Sequence, residues 1–310
     1  MRTSAPMTRQ PVEVGDPGAM LDAIGARRPI LVRGLTDDWK ASSWTFDSLR
    51  ALAGNRTVKV LLDLPDRGGM LEGGQHAYES ELPFAAFLDR AEQPGTAPCY
   101  LGYLRPEELI PGCADAFDFG PMTVPSRHPT DTRLWIGSAG TCSGLHSDLK
   151  DNVFAQISGR KRLILVPLRE THLVYPFVDN IANSMVDPDH VDTARFPRFL
   201  AASVRTCVVG PGDVVYIPRG WWHYLRSGSP SISINHWFGP PVPSEVFLAV
   251  LARLGLRYLG RAAADLVRYS LLGHTYRKDF FFTPPSTGER LFNLIRHGDF
   301  SRDNDPATDA

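Results

Sequence analysis

Hydrophobic and polar positions divide the chain into three stretches with different periods. From about residue 19 to 95 helical and extended spacing alternate. Met20-Leu21-Asp22-Ala23-Ile24 opens an amphipathic helix, Ile30-Leu31-Val32 is a short buried strand, Trp44 to Leu52 has helical spacing, and Val58 to Leu62 extends again. From about 96 to 240 short β-branched and aromatic runs dominate. Asn152 to Ile157, then Ser158-Gly159-Arg160, then Lys161 to Val166 reads as strand, tight turn and strand, which predicts a hairpin. Val214 to Pro218 is an apolar strand after the turn Gly210-Pro211-Gly212-Asp213, and Trp221 to Leu225 resumes an extended run. After Pro240-Pro241-Val242-Pro243 the spacing turns helical. Ser244 with Glu245 marks a helix start, Phe247, Leu248, Leu251, Leu254 and Tyr258 follow, and a second helix is predicted from about Ala262 to Leu272.

The remaining segments lack a period. Residues 1–18 contain arginines but no apolar run, so they read as a flexible N-terminus and not as a secretory signal. The polar stretch 299–310 is expected to be disordered. The glycine-rich segment 66–75 lacks the Lys-Ser/Thr of a phosphate-binding loop and reads as a hairpin tip or a lid. The connection from about Arg169 to Thr206 far exceeds the ~12–15 residues of ordinary loops, so it is expected to line a substrate entrance.

Composition narrows the function classes. The chain has 310 residues and a formal net charge of −1, which disfavours a nucleic-acid-binding surface. Cys99, Cys113, Cys142 and Cys207 have no Cys-x-x-Cys spacing, so a zinc ribbon is not expected and reduced thiols in a cytoplasm are. No run approaches the ~20 apolar residues that span a bilayer.

The candidate chemistry lies in the middle stretch. His146 and Asp148 are two residues apart, and strand side chains alternate with period two, so both face one side. The same spacing recurs at His190/Asp192, in a polar loop, and at His297/Asp299, in the tail; both read as surface. His223 is flanked by Trp222 and Tyr224, and a buried imidazole needs either a metal or a hydrogen-bond partner. With His146 and Asp148 it would complete two imidazoles and one carboxylate, the facial set that leaves open positions on non-heme Fe(II).

These residues carry a resemblance. Trp135-Ile136-Gly137, Leu145-His146-Ser147-Asp148, Asn152 through Lys161, Tyr175-Pro176, Gly210-Pro211-Gly212-Asp213 through His223, and Ser231 through Trp237 resemble the cupin-type JmjC Fe(II)/2-oxoglutarate-dependent oxygenases. Weaker similarity reaches Pro29 to Gly34 and Trp39. The resemblance implies a mainly β fold, a double-stranded β-helix (cupin or jelly-roll barrel) with an N-terminal α/β extension and C-terminal helices. The implied domains are 19–95 for the extension, 96–240 for the barrel, and 241–298 for a helical region suited to homodimerisation or to packing within one chain.

Further implications concern the site. His146, Asp148 and His223 would be the catalytic metal ligands, holding Fe(II), with 2-oxoglutarate as cosubstrate and O2 as oxidant. Lys161 would pair with the distal carboxylate of the cosubstrate, helped by Ser143 and Tyr100, with Tyr103 as a substitute. Asn152 and Asn235 would be amides near cosubstrate and metal. The implied activity is hydroxylation of a C–H bond in a peptide, protein or amino-acid-derived substrate; charge, cysteines and the lack of a long apolar run add the expectation of a cytoplasmic enzyme without nucleic-acid or membrane partners. Two other classes stay open: a metal cupin of another kind, such as an isomerase or a 2-oxoglutarate-independent dioxygenase, and a catalytically silent binding module.

Overall fold

A computed structural model describes residues 9–66, 75–276 and 285–301. Two sheets form the body. In chain order the N-terminal part contains β1 (Arg9–Pro11), β2 (Glu13–Gly15), α1 (Pro17–Ala26), β3 (Ile30–Val32), α2 (Phe46–Ala53) and β4 (Thr57–Leu61). Next come α3 (Gln75–Tyr78), β5 (Glu79–Pro83), α4 (Phe84–Glu92), β6 (Tyr100–Leu104) and α5 (Pro106–Leu109). The barrel adds β7 (Asp131–Gly137), β8 (His146–Ser147), β9 (Asp151–Ser158), β10 (Lys161–Val166), β11 (Val204–Val209), β12 (Val214–Ile217), β13 (Trp222–Ser227) and β14 (Ser231–Phe238). Helices α6 (Ser244–Leu254), α7 (Leu256–Asp265) and α8 (Thr287–His297) follow. The smaller sheet runs β1-β11-β10-β13-β8 and the larger β2-β3-β12-β9-β14-β7-β6-β4-β5. This is the mainly β, jelly-roll architecture expected of a cupin-like chain.

Alternation within the strands assigns each face a task. Phe154, Leu163, Leu165, Val215 and Ile217 meet between the sheets with Val12 and Leu31 and fill part of the interior. The opposite face of the larger sheet, with Leu134, Ile136, Val153, Ala155, Ile232 and Ile234, is covered by Met20, Leu49, Phe84, Phe87 and Leu88 of α1, α2 and α4. The N-terminal extension therefore shields one barrel wall from water. Its helices start where the local chemistry permits: Asp16 caps α1, with Pro17 at the first position, and Thr45 and Ser48 form a capping box on α2.

Several expectations need correction. The segment 152–166 is no hairpin: β9 pairs with β12 and β14, whereas β10 pairs with β11 and β13. Gly159, at φ +76°, turns the chain from one sheet into the other, and a Cβ there would overlap the Pro230 carbonyl oxygen. The flexible N-terminus expected over 1–18 does not hold for 9–15. Those residues form β1 and β2, which pair in parallel with β11 and β3 and continue both sheets. Such pairing is non-local and leaves no period to read.

The connection 169–206 is ordered. Its Val174, Val186, Phe196 and Phe199 pack with Ile164, Val166, Trp222 and Tyr224 on the outer face of the smaller sheet. Only its middle approaches the barrel mouth, where Asn183 bridges His146. In the C-terminal region Ser244 is already helical and Pro243 holds the cap position. The second helix begins at Leu256, six residues earlier than expected, and continues as a π-helical turn over Leu266–Leu271. Within the helical region expected over 241–298, residues 287–297 form a third helix, α8, behind a Ser286/Glu289 capping box, and Phe300 beyond it is buried. The lid or hairpin expected at 66–75 lies almost wholly outside the described residues, as do residues 302–310.

Candidate metal centre

β8 and β13 are antiparallel neighbours, and their register sets His146 directly across from His223. Ring centroids are 4.1 Å apart. β8 ends at Ser147, so Asp148 lies one residue beyond the strand but on the side expected from the period of two. Its carboxylate is 3.9 Å from His146 Nε2 through Oδ1 and 3.4 Å from His223 Nε2 through Oδ2. The three side chains present ligand atoms all within 4.8 Å of one another, the one such group among the described residues. His190 instead sits on the surface, 3.2 Å from Asp187, and His297 ends α8.

The surroundings prepare this trio for a cation. His146 Nδ1 is 3.0 Å from the Gly144 carbonyl and His223 Nδ1 is 3.1 Å from the Trp221 carbonyl. A carbonyl can only accept, so each Nδ1 carries the proton and each Nε2 lone pair faces the site. Burial, and then the neighbouring His223, push the His146 imidazole down to about 4. Burial works against a charged Asp148, but His223, His146 and a hydrogen bond from Trp237 outweigh it and hold the carboxyl below its usual range. His223 is raised, because the attraction of Asp148 exceeds the burial cost. With the proton on His223 displaced, two imidazole nitrogens around a carboxylate suit a divalent transition ion.

Asp148 is fixed from behind. Trp237 Nε1 donates to Oδ2 at 2.6 Å and Asn152 Nδ2 donates to the same oxygen at 3.2 Å. Asn235 Nδ2 donates to Asn152 Oδ1 at 3.3 Å, and Trp135 Nε1 donates to Asn235 Oδ1 at 2.6 Å. Asn152 and Asn235 therefore join the site as supports of the carboxylate.

Lys161, at the start of β10, faces into the barrel and is 3% exposed. Its Nζ lies 5.7 Å from the Tyr100 ring centroid and 5.5 Å from that of Phe154. Burial alone, with no carboxylate of the described residues beside it, pushes the ammonium down to about 7. Tyr100 is thus next to Lys161, and burial raises its phenol well above the usual range. Tyr103 stands elsewhere, against Trp135 and Trp237, at a positive φ of 60° in a bulge of β6.

Ser143 is engaged differently from the expectation: its hydroxyl accepts from the Leu225 N–H at 3.0 Å and lies 3.0 Å from the Gly144 carbonyl. Hydroxyls the sequence reading missed are closer to Lys161 in register. Ser227 is its direct partner across the β10–β13 ladder, and Ser227 Oγ lies 2.8 Å from Thr141 Oγ1 and 3.2 Å from Ser231 Oγ. Trp237 enters the sequence reading only as the end of the Ser231–Trp237 resemblance. Its indole donor had no local signal, because the partner is 89 residues away.

Comparison with known proteins agrees with this geometry. A cupin-like domain model matches residues 19–243. The chain is 33% identical over 219 residues to lysine-specific demethylase 8 of Xenopus tropicalis, covering 68% of this chain and 48% of that protein. It is 29% identical over 232 residues to lysine-specific demethylase JMJ30 of Arabidopsis thaliana, covering 70% and 51%. It is 36% identical over 237 residues to HSPB1-associated protein 1 of Bos taurus, covering 68% and 48%. The chain thus spans about half the length of these relatives. With the barrel, the two-histidine, one-carboxylate cluster and a domain match over most of its length, the chain belongs to the cupin-like family of JmjC proteins.

Proposed function

We propose that the chain is an Fe(II)- and 2-oxoglutarate-dependent oxygenase that hydroxylates a C–H bond of a peptide or protein side chain, or of an amino-acid-derived substrate. The observation that carries this reading is Lys161, a buried amine with no ion pair among the described residues, in the same barrel as the metal trio. A desolvated cation is costly unless an anion joins it. A dicarboxylate with a 2-oxo group supplies that anion at one end and a chelating pair at the other.

The protein's own share of the chemistry is positioning and exclusion of water. Lys161 holds the distal carboxylate as a point charge with three donors. The two Nδ1–H bonds fix the imidazoles, while Trp237 and Asn152 fix Asp148. Tyr100, Phe154 and Trp135 wall the cosubstrate off from solvent. When bound, iron with the keto acid and O2 supplies oxidation of the substrate C–H bond, coupled to formation of succinate and CO2.

A metal cupin of another class, isomerase or 2-oxoglutarate-independent dioxygenase, gives Lys161 no task, and a silent binding module gives none to the ligand trio. The deciding experiment is direct: purified protein with Fe(II), O2 and 2-oxoglutarate should release succinate, faster with a substrate peptide. Absence of both turnover and 2-oxoglutarate binding would return the other classes to the front. A gain of one oxygen by the peptide marks hydroxylation; formaldehyde release with loss of a methyl group marks demethylation.

We further propose a homodimer through the C-terminal helices. Leu256, Leu259, Val267 and Leu271 are exposed at helical spacing on α7 and the turn after it, which supports a covered face. No helix among the described residues is long and apolar enough to cross a membrane. All four cysteines are free, which supports a reducing compartment such as the cytoplasm.

A further inference from the structure

The two oxygens of Asp148 have different surroundings. Oδ2 accepts the indole N–H of Trp237 and the amide N–H of Asn152, at 2.6 and 3.2 Å. Among the described residues Oδ1 meets only His146 Nε2, at 3.9 Å. His223 Nε2 is closer to Oδ2, at 3.4 Å, but a carboxylate oxygen has two lone-pair directions and two N–H donors already occupy them. Counting lone pairs leaves Oδ1 for an ion.

Trp237 also belongs to an aromatic wall. Its ring meets Trp135 at 6.4 Å and 76°, and Tyr103 at 6.0 Å. Trp135 directs its own N–H through Asn235 and Asn152 towards the same Oδ2. Excluding water needs only ring faces. Two indole donors feeding one carboxylate oxygen, one directly and one through two amides, indicate a second task.

We infer that Trp237 is a positioning residue that withholds Oδ2 of Asp148 from the metal and so keeps this carboxylate a one-oxygen ligand. The inference rests on His146, Asp148 and His223 as the metal ligands. It deepens that reading by naming what preserves the open positions. Once freed from Trp237, the carboxylate can turn both oxygens to the ion and take up a position that the 2-oxo acid requires. The aromatic wall around Trp237 is therefore the same structure that sets the coordination number.

The test uses the full-length apo-protein with Co(II), whose visible bands weaken as coordination number rises. Wild type takes up one Co(II) per chain and His223→Ala takes up none; a wild type that binds none would overturn the metal centre and this inference together. In Trp237→Phe the Co(II) stoichiometry stays the same, the bands weaken, and 2-oxoglutarate binds the Co(II) protein about tenfold less tightly, the scale of effect usual for groups that orient a metal ligand. Tyr103→Leu alters a ring packed on Trp237 in the same wall, leaves both donors to Asp148 in place, and keeps wild-type bands and affinity within about twofold. Unchanged bands and affinity in Trp237→Phe would overturn the inference, as would equal shifts in both variants, which would assign the effect to wall packing. Should Trp237→Phe not fold, deuterium exchange decides on wild type loaded with Zn(II). The Trp237 indole proton exchanges slowly if it stays on Oδ2; exchange as fast as that of a solvent-exposed indole would refute the role.

Discussion

His146 and His223 stand opposite one another in a ladder only two residues long, and both give their Nδ1 protons to backbone carbonyls. The backbone thus fixes the tautomers before any ion arrives. His146→Ala should weaken Co(II) or Fe(II) binding at least 100-fold, because two of three ligands cannot hold the ion in a facial set. The apo fold should survive, since His146 sits at the mouth and not in the hydrophobic clusters. Metal titration followed by calorimetry, with far-ultraviolet circular dichroism as the fold check, decides this. Retained stoichiometric binding would remove His146 from the site.

As the proposed anchor, Lys161 should make cosubstrate binding depend on pH. Its ammonium is favoured only below about 7 in the free protein, against about 10.4 in an unfolded chain. An anion needs the charged form, so 2-oxoglutarate affinity should fall as pH rises through 7, approaching tenfold per pH unit above it. Stability of the apo-protein has the opposite slope. Between about 7 and 10.4 the unfolded chain binds a proton that the folded chain does not, so this residue's contribution favours folding more as pH increases. Lys161→Met should remove both dependences and most of the affinity while keeping the barrel folded. Calorimetric titrations at pH 6, 7, 8 and 9, on the order of one unit apart to resolve a single proton, provide the check. A pH-independent affinity in wild type would exclude Lys161 as the anchor.

Gly159 turns the chain between the sheets with a backbone that L side chains rarely adopt. Gly159→Ala should destabilise the protein by at least about 2 kcal/mol, from left-handed strain plus the clash with the Pro230 carbonyl. Urea unfolding measures this directly. A loss below about 0.5 kcal/mol would mean the corner relaxes freely.

This corner also shows what the sequence could and could not reveal. Strand identity was legible from β-branched runs on both sides of Ser158-Gly159-Arg160, but a short glycine turn looks the same whether its strands pair or part. The metal trio was legible because Leu145-His146-Ser147-Asp148 and the segment ending at His223 are compact local patterns. Trp237, Ser227 and Thr141 were not, since their roles arise from contacts 86 to 89 residues away in sequence. β1 and β2 escaped for the same reason: Arg9 to Gly15 alternates only over Val12-Glu13-Val14, too short a run to read, and pairing with β11 and β3 makes it strand.

The C-terminal helices give the last prediction. Leu256 is 86% exposed and Leu271 62% exposed, while α7 packs its opposite side, with Ala262 and Asp265 buried. Each fully covered leucine contributes roughly 1.5–3 kcal/mol, so a symmetric contact using both on two chains gains from four such side chains. Light scattering on the eluting protein should therefore give twice the chain mass of 34.3 kDa. The double variant Leu256→Asp, Leu271→Asp should elute as a folded monomer, because a carboxylate in an apolar contact loses its hydration without a partner. Both positions face solvent in the single chain, so the variant's 2-oxoglutarate affinity should match wild type. A wild-type monomer at micromolar concentration would sink the dimer and leave this stripe as ordinary surface.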